Sequence, residues 1–483
     1  MPRLGAASRL AGDQLLPVAL AAVVSVLVGL ALVAKPSLVL LLVLGILGVL
    51  GIGVALTHPG IAFVGLIGIL AFLPTYAGPS MGPLLLIPSA VASWAVAVAL
   101  GWRNIIRDGR VLRINRIDAS VGLFALLMFI SISFSPRTSR SEWIHVMFLW
   151  LGPYLGVRLL LNEVRDPLRI LAFAFGIATT ILAPIALLEH LGGSNIFHNL
   201  DFNGTEYAVW AEEHARFGAT RAAASWGHPI ALSMFAAASS LFTLAAALNT
   251  GNRRERNLWY AATVISLTMQ VSTVSRTGWL MLFVGLLGIV FVFATGVRRR
   301  RLLGIIATLG VLVIGLLVVA PSALNAVPGF EKGDAQSASS SRYRAALIDR
   351  ALEPGVLNAW GNAQDQVTPF VVGSTATDNA YIILADLWGL IPTAALLLLA
   401  LALLSVAIAG YRRDPTGLVA FPIVAFACMA GLFVVAFITQ QQAMIWMIVG
   451  AAGVTAERFS SRSRPADLAA PPAPQPVVAR DRM

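Results

Sequence analysis

Five short hydrophilic breaks, each dense in arginine, alternate along this chain with breaks that are nearly free of it. The basic set runs from Arg103 to Arg116, Arg158 to Arg169, Arg253 to Arg256 and Arg298 to Arg301, with Arg412 and Arg413 last. Between them lie apolar stretches of about 15 to 25 residues, the length a helix rising about 1.5 Å per residue needs to cross roughly 30 Å of hydrocarbon. A chain with this pattern threads a membrane many times. Short cytoplasmic loops collect Lys and Arg, so the five breaks are expected on the inner face. The Arg3/Arg9 start and the Arg458/Arg462/Arg464 tail are expected there too, placing both termini in the cytoplasm.

Composition closes off the soluble classes. With 58% hydrophobic residues, 12% charged residues and a mean hydropathy of +0.82, the chain carries more apolar surface than a water-soluble fold of its length can hide. The net charge of +11 does not argue for nucleic acid, because 24 of the 32 arginines fall in segments assigned to the inner face. Topology and contact with anionic lipid headgroups account for them. The one cysteine, Cys428, lies within an apolar run, so a disulfide framework and a thiolate metal site are both excluded.

Fourteen apolar runs can be marked, the third (Gly60 to Leu73) and the last (Ala443 to Ala456) being short. The first, Leu15 to Ala34, follows Arg3 and Arg9 but is too long for a signal peptide core and leads to Lys35-Pro36 where cleavage would need small residues. It reads as a retained helix. The expected fold is an all-α polytopic bundle of about 12 to 14 transmembrane helices with two long external loops. N-terminal helices occupy 1–188, a first external loop 189–229, central helices 230–320, a large external loop 321–380 and C-terminal helices 381–456. A proline- and alanine-rich cytoplasmic tail, 457–483, is expected to be disordered. The loops exceed ordinary connections several-fold, which marks them for binding or catalysis. Within the second, Ser337 to Ser341 can cap a helix over about Arg342 to Leu352, with Tyr343, Leu347 and Ala351 as an apolar stripe, ended by Pro354-Gly355.

Eight arginines stand outside against the general bias: Arg137, Arg140, Arg216, Arg221, Arg276, Arg342, Arg344 and Arg350. Arg276 is the most informative, since Ser275-Arg276-Thr277 joins two apolar runs with almost no loop to hold a cation in water. Two explanations fit: the side chain snorkels at a helix end, or it faces a polar cavity where an anion pairs with it. Guanidinium groups bind phosphate through paired donors. Arg221, Arg276 and one arginine from the 342–350 helix, at matching depth, would make a receptor for a lipid diphosphate.

Three blocks in order resemble a known family. Thr220-Arg221-Ala222 leading to Trp226-Gly227-His228-Pro229-Ile230, then Val274-Ser275-Arg276-Thr277-Gly278, then Thr377-Asp378-Asn379-Ala380-Tyr381 with Gly389 resemble the O-antigen ligase and O-antigen polymerase superfamily. The likeness spans about Arg216 to Gly389 and includes the large external loop between the second and third blocks. It implies a metal-independent, cofactor-free glycosyltransferase of the bacterial inner membrane, similar in architecture to the GT-C enzymes, with its active site on the extracytoplasmic face. Such an enzyme moves a glycan from undecaprenyl diphosphate to a glycan or lipid acceptor. By position, Arg221 and Arg276 would stabilise the departing diphosphate. Arg216, His228, Arg342, Arg344, Arg350, Asn379 and Tyr381 would line the substrate site.

Asp378 stands where ligases of that family often carry histidine, a variant associated with polymerase-like and exopolysaccharide members. It could deprotonate the acceptor hydroxyl, cap the helix that begins near Tyr381, or both. Glu212, Glu213 and His214 could pair with the nearby arginines, assist the acceptor, or form a plain solvated cluster. His190, His198 and Asp201 fit no metal-ligand spacing. The rival reading is a flippase or other transporter of lipid-linked sugars, for which external arginines would serve the same recognition.

Overall fold

The computed structural model describes residues 51–74, 80–81, 84–106, 113–134, 140–199, 214–216, 219–293, 304, 346–362, 367, 379–411, 414 and 416–462. Most of its helices start where the sequence supplies a cap or a proline. Following a helical segment over 51–57, Pro59 opens α1 (Pro59–Phe72) and Pro88 opens α2 (Pro88–Ile106). Asn115 and Asp118 form a reciprocal capping box on α3 (Arg116–Ser131). Then come α4 (Arg140–Asn162) and α5 (Pro167–Gly192), the latter capped by Asp166 and stopped at Gly193, whose φ of 75° suits glycine. His228 caps α6 (Pro229–Asn249), Asn252 caps α7 (Arg253–Ser272), and α8 (Arg276–Phe293) follows a tight turn. The chain closes with α9 (Ala380–Leu387), α10 (Leu390–Gly410), α11 (Ala420–Gly431) and α12 (Thr439–Arg462). Two antiparallel ladders of two residues each, β1 (Ser80–Met81) with β2 (Leu84–Leu85) and β3 (Ala215–Arg216) with β4 (Ala219–Thr220), are the sheet pairing among the described residues.

The fold is an all-α polytopic membrane bundle. Among the described residues six helices, α2, α4, α5, α6, α8 and α10, are long and apolar enough to span a bilayer. Helix α6 is central, with 89% of its spanning window buried. Its run of Ala and Ser lets neighbours approach closely, and hydroxyls bond across the contacts. Thr179 on α5 donates to Ser239 on α6 (2.8 Å), Ser239 shares a hydrogen bond with Ser266 on α7 (2.9 Å), and Thr243 bonds Thr263 (2.9 Å).

The helix ends sort into two sets. On the arginine-rich side, Arg103 pairs with Glu163 (2.9 Å), Arg169 with Glu255 (3.1 Å), and Arg458 donates to the Val164 carbonyl (2.8 Å). On the opposite side, Ser131 donates to the Trp388 carbonyl (2.6 Å), Tyr381 to that of Met429 (3.0 Å) and Gln440 to that of Leu73 (3.1 Å). Alternate helix ends therefore meet alternate helix ends, as a chain that re-crosses at each span must arrange.

Three expectations are corrected by the coordinates. Arg158 belongs to no break: it lies within α4, fully buried, and ion-pairs with Asp118 (3.3 Å) and Glu457 (2.5 Å). The run from Tyr381 to Ile408 is two helices, broken at Trp388-Gly389. Gly389 has φ 104°, and a Cβ there would lie 2.5 Å from both Gly361 N and Trp360 Cα, because residues 358–361 dock into the break. Leu390 N and Ile391 N donate to the carbonyls of Asn358 (2.9 Å) and Ala359 (3.1 Å). Finally, the run from Gly417 to Ile438 holds a shorter helix, α11, that stops at Gly431. The tail beyond 462, the run from Leu15 to Ala34 and most of Leu302 to Ala320 lie outside the described residues.

Candidate functional site

The site grows from the segment between α5 and α6 on the side away from the arginine-rich ends. β3 and β4 pair with Ala215 opposite Thr220 and Arg216 opposite Ala219, and Arg221 N donates to the His214 carbonyl (2.8 Å). The chain then runs against the α7–α8 turn. Ala222 N donates to the Ser272 carbonyl (3.1 Å), and Arg221 Nε donates to the Thr273 carbonyl (3.2 Å). Thr273 lies three residues before Arg276, the exposed first residue of α8. The Arg221 side chain therefore bonds to the turn that leads into Arg276.

That turn is strained. Val274 has φ 46°, a left-handed conformation that a β-branched residue rarely adopts and that costs about 1 to 3 kcal/mol. Its neighbours hold it: Thr273 Oγ1 donates to the Gln270 carbonyl (2.7 Å), Val274 N to that of Val271 (3.1 Å), and Ser233 on α6 donates to Ser275 Oγ (3.0 Å). Gly278 packs with its Cα toward Ser233 and Gln270, where any Cβ would collide. A second left-handed non-glycine residue, Ala224 at φ 46°, lies in the Arg221-to-His228 segment. The left-handed non-glycine residues described in this chain are thus the two that shape the arginine turns, and such strain persists where the surroundings over-determine it.

His228 Nδ1 accepts from Ile230 N (3.2 Å), so its proton sits on Nε2. Its ring meets that of His214 edge-on, with centroids 4.6 Å apart. Burial, then the neighbouring His214 and Arg221, push its pKa down to about 3. His228 is therefore a neutral Nε2–H donor at physiological pH, beside a fixed cation. Because its folded pKa lies below the unfolded 6.5, the unfolded state binds the extra proton, so stability should fall as pH drops from 6.5 toward 3. His228→Asn keeps an acceptor for Ile230 N and removes the titration. Its thermal unfolding should lose part of that acid sensitivity and match the native chain above pH 7.

The third block is arranged differently. Asn379, and not Asp378, caps α9: its Oδ1 accepts from Tyr381 N (3.0 Å) and Ile382 N (3.2 Å), while its Nδ2 donates to the Phe433 carbonyl (2.8 Å). Tyr381 donates to Met429 and stacks on Phe433 at 4.2 Å. Together they bind α9 to the last turn of α11 and the residues just after it. Residues 346–352 are helical, with Leu347 buried against Val356, Val367 and Ile382, and Arg350 pairs with Glu353. The structure brings together Arg221, His228, His214 and the turn of Arg276, and places Arg350 on this separate cluster. Arg342, Arg344 and Asp378 lie outside the described residues, as does the side chain of Arg216.

Sequence reasoning missed the residues that hold the Arg221 strand. Glu189, at the end of α5, accepts from Ala223 N (3.1 Å) and Ala224 N (2.8 Å), and His190 Nδ1 donates to the Thr220 carbonyl (2.5 Å). Asn195 donates to the Ala224 carbonyl (3.0 Å) and Gln440 to that of Ser225 (2.7 Å). The available signal was Glu189 itself, a carboxylate closing an otherwise apolar run. Among the described residues no three His, Cys, Asp or Glu side chains stand together as metal ligands.

These features define a polytopic helical membrane protein with a cationic, histidine-bearing turn cluster on one side. No family model matches the chain, and no curated protein matches it.

Proposed function

We propose that the chain is an integral membrane glycosyltransferase that moves a glycan from undecaprenyl diphosphate to a sugar acceptor. Its arginine-rich side faces the cytoplasm and the Arg221 cluster faces out. The observation that carries this reading is the Arg221 Nε bond to Thr273, which brings a guanidinium to the turn that leads into Arg276 at the head of α8. A helix N-terminus already carries partial positive charge, and an arginine at its first residue adds to the field that attracts an anion. A diphosphate satisfies both cations and the helix end at once.

In the reaction so read, the acceptor hydroxyl attacks the anomeric carbon as the bond from that carbon to the phosphate oxygen breaks. Its proton passes to Asp378, and the electron pair leaves on undecaprenyl diphosphate. Charge then grows on the phosphate oxygens, where Arg221 and Arg276 act. Aspartate at 378 in place of histidine fits polymer or exopolysaccharide assembly better than ligation. A transporter of lipid-linked sugars is the second reading, favoured by the helix break at Gly389, a device translocating proteins use.

Analysis of surface glycans in a strain lacking the protein tests the proposal. Loss of chain length is the expected result for a polymerase, and build-up of lipid-linked polymer would mark a ligase. Donor trapped on the cytoplasmic leaflet would instead establish the transporter, and unchanged glycans would overturn both.

A further inference from the structure

Backbone polar groups from Thr220 to Ser225 are held by groups from several other elements: His190, Ser272, Asn195 and Gln440 each hold one. Glu189 alone holds two, one N–H on each oxygen, and those N–H groups belong to Ala223 and to the left-handed Ala224. Two features make a carboxylate an odd choice. It is buried, at 4% exposure, where a charge is costly to place. It also sits in the last turn of α5, the end of a helix where negative charge is disfavoured. A neutral Asn or Gln would cap a turn without either penalty. What the carboxylate adds is a pair of charge-assisted bonds to adjacent N–H groups, enough to hold the chain in a left-handed step three residues beyond Arg221.

We propose that Glu189 is the positioning residue for the Arg221 guanidinium, fixing the Ala223-Ala224 step so that Arg221 Nε reaches Thr273 in the turn that leads into Arg276. The ligand of that pair, a lipid diphosphate, rests on the function proposed above; the alignment itself does not. Glu189→Gln keeps the shape and one acceptor oxygen while turning an NH2 group toward the other N–H.

Two measurements on the full-length protein in nanodiscs separate the ideas. In the first, binding of undecaprenyl diphosphate is compared with that of undecaprenyl monophosphate. Glu189→Gln should weaken diphosphate binding about tenfold and bring the preference over monophosphate close to one, with the thermal unfolding of the unliganded protein little changed. Adding Glu189→Gln to Arg221→Ala should cost nothing further, since both remove one alignment. In the second, spin labels at the exposed Ala215→Cys on β3 and Val271→Cys at the end of α7, in a Cys428→Ala background that keeps Arg221, report the distance distribution between the Arg221 strand and the turn without any ligand. Glu189→Gln should broaden it and Glu189→Asp should restore part of its sharpness. A native-like distribution in Glu189→Gln overturns the positioning role whatever the ligand proves to be. Failure of the native protein to bind the diphosphate, with the distribution still broadened by Glu189→Gln, overturns the lipid diphosphate and leaves Glu189 in place.

Discussion

Alanine at Arg221 or at Arg276 should reduce glycan transfer from undecaprenyl diphosphate by at least about 100-fold, the usual effect of removing one donor aimed at developing negative charge. Membrane insertion should be unaffected. The expectation follows from where these side chains stand: Arg276 is exposed at the head of α8, and Arg221 bonds through Nε to a backbone carbonyl. Lysine should fail at Arg221. The Nε bond to Thr273 fixes the plane of a forked, delocalised cation, and an ammonium group has neither the plane nor the Nε. At Arg276, whose surroundings are open, lysine should retain more of the activity. Combining both alanines should cost less than the product of the two single effects, because both guanidinium groups act on one diphosphate as a unit. Transfer by both single variants at near-native rates, measured with purified protein and lipid-linked donor, would sink the proposed reaction.

What the amino-acid order made legible follows from which forces act locally. The alternation of arginine-rich breaks is set by the cost of moving charge across a bilayer, and the meeting of alternate helix ends in the structure has that same alternation. Helix limits were less legible because an apolar run measures hydrocarbon and not helix. Thus Ala443 to Ala456 is short as an apolar run, yet α12 extends from Thr439 to Arg462, carrying glutamines at one end and Glu457 and Arg458 at the other. The break at Gly389 was hidden because leucine-rich flanks continue through it, and only the docking of 358–361 explains the φ of 104°. The bond from Arg221 to the turn before Arg276 was not legible either, because the strained Val274 conformation depends on contacts from α6 that no local pattern announces. Glu189 was passed over for the same reason, since its partners lie 34 and 35 residues away in the chain.

Replacing Arg158 with leucine should be the most destabilising single change on the arginine-rich side. Counted as a loop residue from the sequence, it is instead enclosed by α3, α4 and α12, with Asp118 at 8% and Glu457 at 16% side-chain exposure. Tyr154 also donates to Asp118, and Asn115 ties the same corner to the Gly453 carbonyl (3.0 Å). Helix α12 can approach only because Gly453 lacks a side chain: a Cβ there would lie 2.7 Å from Arg158 Cδ. Removing the cation leaves two carboxylates in a space built around it. Breaking a buried pair by deleting one partner typically costs about 3 to 5 kcal/mol, whereas replacing the whole pair with neutral groups is often tolerated. Arg158→Leu should therefore lower the unfolding temperature in detergent by more than the triple variant Arg158→Leu, Asp118→Asn, Glu457→Gln. An equal or larger loss in the triple variant would mean that packing of the long arginine stem, and not its charge, holds this corner. The distinction bears on the site because α12 also presents Gln440 to the Ser225 carbonyl at its far end. A bundle loosened at the ion cluster should lose stability globally and cooperatively, while Glu189→Gln should disturb the Arg221 strand and leave the unfolding temperature nearly native.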